Sequence, residues 1–277
     1  MSEKIFVSLA PNMKKLLIIV GVIFLFAACG GKEERTAKIS GMEFDSVVVD
    51  TVKPLTSEAG SPKCELHLSI QFAKGKKAQT INDTLLRSGI LAPDYLSLSG
   101  EHLEVAQAVD SFVNCYVRDY VREYGALYQQ DREHAGSYDN RLRVNTRTMN
   151  GADDVLVYIA QTTLYGGGEH EMKQTLAKNF NVETGHLITL DDIFMHGYED
   201  AIKELIVKKI AKQLDVDDLK ALQEKYVFAD GDVYIPDNYI LEDDKITFIY
   251  CEDEIAPHNI GEIRVELKKK DIKEWLK

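Results

Sequence analysis

Residues 141–164 read RLRVNTRTMNGADDVLVYIAQTTL. Leu142, Val144, Thr146 and Thr148 alternate with Arg141, Arg143, Asn145 and Arg147, the period of two that marks a strand with one face buried. Val155 to Leu164 is a second strand, set off by the punctuating Asp153-Asp154. Asn150-Gly151, between the two, is the strongest short-range hairpin signal in the chain and predicts that they pair antiparallel.

Upstream of this hairpin the period changes to that of a helix. From Gly100 to about Gln130, Leu103, Ala106, Val109, Phe112, Val113, Tyr116, Val117, Tyr120 and Tyr124 recur at gaps of three and four, one face of a long amphipathic helix. Ser99 is its expected cap. Earlier still, 43–52 and 63–72 are expected strands joined by a loop with Pro54, Gly60 and Pro62, and Ala78 to Leu86 an expected helix. Downstream, Lys173 to Val182 is a strand ending at the turn Glu183-Thr184-Gly185-His186. Helices follow over 198–214 and 216–226, then strands over 238–241, 245–251 and 261–267, and a short closing helix over 270–276. Hairpins set between separate helices predict an α+β fold, with antiparallel sheets packed against helices and one long amphipathic helix in the N-terminal half.

The beginning of the chain has another character. Residues 13–29 read MKKLLIIVGVIFLFAAC. Lys14 and Lys15 precede the apolar run Leu16 to Phe26, and Ala27-Ala28 stand directly before Cys29, the three-part layout of a secretory signal. The run falls short of the roughly 20 residues that a helix needs to cross a bilayer. Residues 1–12 fit no part of a signal, so Met13 is the expected start. The cysteine after the small pair resembles a bacterial lipoprotein signal, in which the peptide is cut before the cysteine and its sulfur receives a diacylglyceryl group. That resemblance implies a signal peptide over 1–28, lipidation at Cys29 and a lipidated tether over 29–38. Lys32-Glu33-Glu34 resembles the basic-then-acidic signal that sorts Bacteroidetes-type lipoproteins to the cell surface. The expected location is the bacterial envelope, lipid-anchored at the outer membrane and facing either the exterior or the periplasm.

The full chain has a net charge of −12, and loss of residues 1–28, with three lysines and one glutamate, takes it to −14. Such a balance argues against nucleic acid, whose phosphates call for Lys and Arg patches, and against docking by a basic patch on anionic lipid. It favours a basic partner by long-range steering, although solubility alone would account for it equally well. Besides Cys29 the chain has Cys64, Cys115 and Cys251, an odd number that cannot all pair internally. Cys64 lies in line with Leu66, Leu68, Ile70 and Phe72, the buried face of a strand. Buried thiols are therefore expected rather than a disulfide framework.

Four ordered motifs carry a family resemblance. They are Tyr165-Gly166-Gly167-Gly168-Glu169-His170; Asn179-Phe180-Asn181-Val182-Glu183-Thr184-Gly185 with Leu190-Asp191-Asp192-Ile193-Phe194; Ile235-Pro236-Asp237-Asn238-Tyr239; and Glu254-Ile255-Ala256-Pro257-His258-Asn259-Ile260-Gly261. Together they resemble the RsiV C-terminal-type domain of unknown function, over roughly Tyr165 to Lys270. The region before it looks like the companion domain of PdaC-type proteins. The resemblance implies a domain border after Leu164, with a PdaC-like domain over 39–164 and an RsiV-type domain over 165–277. In the RsiV branch this region is a receptor for lysozyme; in the PdaC branch it accompanies a separate deacetylase domain, for which this chain has no room.

Tyr165, Gly166, Gly167, Gly168, Glu169 and His170 are the candidate ligand-binding residues, since three glycines allow positive φ or close approach of a partner. A structural turn between strands accounts for the same residues. His170-Glu171 begins like the zinc-protease motif HExxH, but Gln174 stands where the second histidine must be, and no histidine pair has the spacing of one helical turn. No metal, cofactor or catalytic residue is therefore expected from local motifs. Tyr116, Tyr120, Tyr124 and Tyr128 recur every fourth residue, suited either to packing or to recognition of protein or glycan. The expectation is a non-enzymatic envelope binding protein whose ligand is lysozyme or another cell-wall-related protein or glycan. A hydrolase or deacetylase of cell-wall polysaccharide and a structural module of an envelope complex are its rivals.

Overall fold

The structure, a computed structural model, describes residues 42–75, 77–93, 95, 104–229 and 231–277. Cys29, the tether and Ser99 lie outside the described residues. The fold is α+β. Strands β1 (Met42–Pro54), β2 (Lys63–Gly75), β3 (Asn140–Asn150), β4 (Val155–Tyr165) and β5 (Met172–Asn181) form one sheet in sequence order. Strands β6 (Tyr239–Leu241), β7 (Lys245–Tyr250) and β8 (Ile263–Lys268) form a second, also in order. Helices α1 (Ala78–Leu86) and α2 (Val105–Gln130) connect β2 to β3, and α3 (Leu190–Ile193), α4 (Glu199–Gln213) and α5 (Leu219–Glu224) connect the two sheets.

One pairing departs from the antiparallel expectation: β2 and β3 run parallel from Cys64↔Asn140 to Ser69↔Asn145. A parallel pair needs a crossover, and α1 and α2 supply it. Beyond Ser69 the two strands part, and side chains take over the ladder. The Thr146 hydroxyl accepts from Gln71 N (2.6 Å) and donates to Ser69 O (3.1 Å), while Tyr158 OH donates to Gln71 O (2.8 Å).

The first core lies between this sheet and α1 and α2. Cys64, Leu66, Leu68 and Ile70 of β2 meet Ile81 and Leu85 of α1 and Ala108, Val109 and Phe112 of α2, all buried. The opposite face of β4 and β5 is buried against the second sheet and α4, where Val157, Ile159 and Ala177 share a cluster with Ile202, Ile206, Phe248 and Val265. Val155 to Ala160 are thus buried on both faces, which is why the sequence VLVYIA shows no alternation. Two asparagines join the sheets. Asn179 donates to Tyr239 O (2.7 Å) and accepts from Leu241 N (2.9 Å). Asn238 donates to Thr175 O (2.7 Å) and accepts from Ala177 N (2.8 Å).

Several boundaries differ from expectation. The β3–β4 turn spans Gly151 to Asp154, with Asp154 at φ 59°, rather than a two-residue Asn-Gly turn. Gly151 is needed for close approach instead, since a Cβ there would lie 2.5 Å from Leu241 O. Helix α2 is described from Val105, with Glu104 at its N-cap position; 100–103 of the expected helix lie outside the described residues. Helix α5 is shorter than expected at both ends: Asp218 caps its start, accepting from Ala221 N (2.9 Å), and Tyr226, just past its end, takes positive φ, 63°. The closing segment forms 3-10 turns over Lys269–Asp271 and Lys273–Trp275 rather than a helix, held by Met195 N to Trp275 O (2.7 Å) and Lys277 N to Ile193 O (2.9 Å). The border expected after Leu164 falls inside the β4–β5 hairpin, and β5 completes the first sheet.

Candidate functional site

Helix α2 buries its first half against the sheet and presents tyrosines where it emerges. Tyr116 OH donates to Asn140 Oδ1 (2.9 Å), at the start of β3, and Tyr120 OH to the Tyr138 carbonyl (3.0 Å). The Tyr95 ring packs at a tilt against Phe112, centroids 5.7 Å apart, and its hydroxyl donates to Asp119 Oδ2 (2.9 Å). The aromatic row continues through Tyr124, whose ring lies 5.4 Å from Tyr120 and 6.1 Å from Tyr138. Packing therefore claims most of the four-spaced tyrosines: Tyr116, Tyr120 and Tyr128 are buried and Tyr124 is half-buried.

Between this row and the sheet lies a cavity of about 540 Å³. Tyr116, Asp119, Tyr120, Glu123 and Tyr124 form one wall, with Ala92, Pro93 and Tyr95 beside them. Asn140, Leu142, Thr162, Leu164, Met172 and Gln174, from three adjacent strands, form the floor. The size falls within the range of small-molecule sites, and the lining is mostly apolar with a few placed polar groups. Asp119 Oδ1 is shielded from solvent; Arg122 Nη1 (3.2 Å) and Arg118 Nε (3.6 Å) form ion pairs with it, but among the described residues none donates a hydrogen bond to it. Burial pushes the Tyr116 phenol up to about 12. The Tyr95 phenol is raised too, by burial first and then by its bond to Asp119. These hydroxyls stay protonated across physiological pH, which suits hydrogen bonding rather than proton transfer near pH 7.

The expected ligand-binding stretch forms the β4–β5 turn. Its flanking residues Leu164 and Met172 reach the cavity, but Tyr165 does not line it: its ring lies under the Arg141 guanidinium at 5.5 Å, and Arg141 pairs with Glu65 (3.2 Å) and Glu171 (3.1 Å). Gly167 has φ 80°, and a Cβ there would come within 2.0 Å of Ser137 O, so this glycine is required by packing. Gly166, Gly168 and Glu169 are exposed. His170 stacks on His258, with ring centroids 4.9 Å apart and planes 20° apart.

That stack joins two of the motifs singled out in the sequence. His258 Nδ1 lies 2.8 Å from Glu252 Oε1 and 3.1 Å from Asp253 Oδ2. The loop carrying all three is pinned to β5 by Cys251 Sγ to Thr175 O (3.4 Å) and braced by Cys251 N to Glu254 Oε2 (2.7 Å). Spacing rules for histidine pairs cannot find such a cluster, since its two imidazoles are 88 positions apart. The local signal was two adjacent carboxylates followed, across a proline, by a histidine.

The model of a family described as "Protein of unknown function (DUF3298)" matches residues 191–270. Among solved structures, the chain resembles a DUF3298 family member from Bacteroides fragilis NCTC 9343, with a TM-score of 0.74 and 23% identity over 86% of this chain and 94% of that one. A DUF3298 family protein from Pseudomonas aeruginosa PAO1 aligns with a TM-score of 0.57 and 14% identity over 85% of this chain and 94% of that one. At these identities the likeness establishes the fold. No curated protein matches the sequence.

Proposed function

We propose that this chain is a lipid-anchored, non-enzymatic binding protein of the bacterial envelope, facing the exterior or the periplasm, whose tyrosine-lined cavity takes a cell-wall glycan. The cavity carries this reading. Tyrosine faces offer flat apolar surfaces for sugar rings, while Asp119, Glu123, Asn140 and Gln174 offer acceptors and donors at the same opening. The lipoprotein-like signal at Cys29 supports the location.

Calorimetric titration of the full chain with muropeptides tests the proposal. Saturable binding is expected, about tenfold weaker in Asp119→Asn, which keeps side-chain shape, and in Tyr124→Ala, the least buried of the α2 tyrosines at this wall. Circular dichroism guards against loss of fold. Absence of wild-type binding to every muropeptide tested would discard the glycan reading in favour of a structural module.

A second reading has its own support. The net charge of −12 and the RsiV-type motifs favour a basic protein ligand such as lysozyme. Binding of that kind weakens with salt as the screening length shortens, and is specific only if it survives about 0.15 M salt. A hydrolase or deacetylase acting through Gly166 to Glu171 has less behind it, because Gly167 serves packing and Glu171 pairs with Arg141.

A further inference from the structure

We propose that His258, Glu252 and Asp253, with His170 from the facing turn, form a site for one zinc ion, separate from the tyrosine-lined cavity. One donor atom from each of Glu252, Asp253 and His258 lies within 4.8 Å of the other two. Donors around a tetrahedral zinc, at bond lengths of about 2.0–2.2 Å, stand roughly 3.4 Å apart. The His258 Nδ1 separations of 2.8 and 3.1 Å are within several tenths of an ångström of that figure. Small side-chain shifts therefore suffice to admit the ion.

The fourth donor comes from a different part of the chain. The His170 ring centroid lies 4.9 Å from that of His258 and its side chain is 68% exposed, so a change of rotamer that gives up the stack would present a nitrogen to the ion. Two loops fixed to the same strand, β5, thus bring two imidazoles and two carboxylates together. That donor set suits zinc, whereas calcium requires six to eight oxygens.

The charge balance points the same way. The Glu252 side chain is only 12% exposed, and among the described residues neither it nor Asp253 forms an ion pair with a lysine or arginine. Glu252 also borders a polar groove of about 450 Å³ together with Glu262, which adds negative charge beside the site. A divalent cation would offset carboxylates that otherwise meet only an imidazole.

The test uses the full chain, freed of metal by a chelator and titrated with zinc chloride, with calcium chloride as the comparison ion. One zinc per chain is expected, with a Kd of about 10 µM or tighter, and no calcium binding in the same range. His258→Ala should weaken zinc binding by about 30-fold or more and abolish the zinc-dependent rise in Tm. His170→Ala should weaken it by about tenfold, as loss of one of four ligands. His67→Ala, which removes an exposed imidazole beside Asp50 on the β1–β2 face, should leave affinity unchanged. Zinc affinity unaltered in His258→Ala, or no wild-type binding at about 1 mM zinc, overturns the site. Unaltered affinity in His170→Ala removes that residue from it.

Discussion

A single buried amide shows how much rests on one residue. Asn179 is 2% exposed and uses both ends of its side chain to continue β5 into β6. Asn179→Ala strands the Tyr239 carbonyl and the Leu241 N–H, each costing about 1–3 kcal/mol when buried without a partner. Denaturant unfolding should show a loss of about 2–4 kcal/mol. Asn179→Asp keeps the acceptor but loses the donor and buries a charge, so it should cost more at pH 7 than at pH 4. None of this was legible in advance. Asn179 and Asn238 stood out as parts of motifs, but a bond between residues some 60 positions apart leaves no local pattern. Cys64 was legible because period two assigns it to a buried face; burial pushes its thiol up to about 12, leaving it an inert apolar residue.

At the scale of elements, local chemistry decides where a helix starts, although the Asn150-Gly151 signal marked a turn longer than two residues. The Asp191-Asp192 pair opens α3, and Thr189 and Asp192 form a reciprocal capping box, with Thr189 N and Oγ1 each 2.8 Å from Asp192 Oδ2. Those bonds, led by the one from the Thr189 backbone, hold the Asp192 carboxyl below its ordinary value. A carboxyl lowered on folding contributes stability above its unfolded pKa, about 3.9, and loses it as pH falls through the folded value. Asp192→Asn should therefore cost about 0.5–1 kcal/mol at pH 7, a small amount because the site is exposed to solvent. The difference from wild type should start to shrink as pH falls toward about 4 and vanish only below the lowered folded value, which thermal melts across pH 2–7 will record. Element ends read less well where tertiary contacts decide them. Nothing local in 270–276 shows that Met195 and Ile193 pin the C-terminal segment into short turns.

For the molecule as a whole, sequence sufficed for fold class but not for topology. Strand and helix periods pointed to the α+β class, and the Asn150-Gly151 signal to the β3–β4 pair. The parallel junction and the burial of β4 on both faces depend on where distant segments dock, which no window of residues records. The cavity was half legible: the four-spaced tyrosines stood out, yet their partners on β3, β4 and β5 did not. The proposed address has its own test. Labelled palmitate should enter the wild-type protein in cells and be absent from Cys29→Ala; equal labelling in both would remove the anchor from the account.

The parallel β2–β3 junction also bears on how the chain reaches this fold. The β1–β2 and β3–β4 hairpins join neighbouring segments and need little loop closure, whereas Cys64 and Asn140 meet across 76 positions. Closing a loop of that size is entropically opposed until α2 has docked on both hairpins and its contacts offset the loss. The high contact order of this one seam predicts that joining the two hairpins, rather than forming either, is the slow event in folding, so that substitutions in the β2–β3 seam should slow refolding more than those in either hairpin turn. Until that seam closes, Leu66, Leu68 and Ile70 present an unpaired strand edge and an open apolar face to any neighbouring chain.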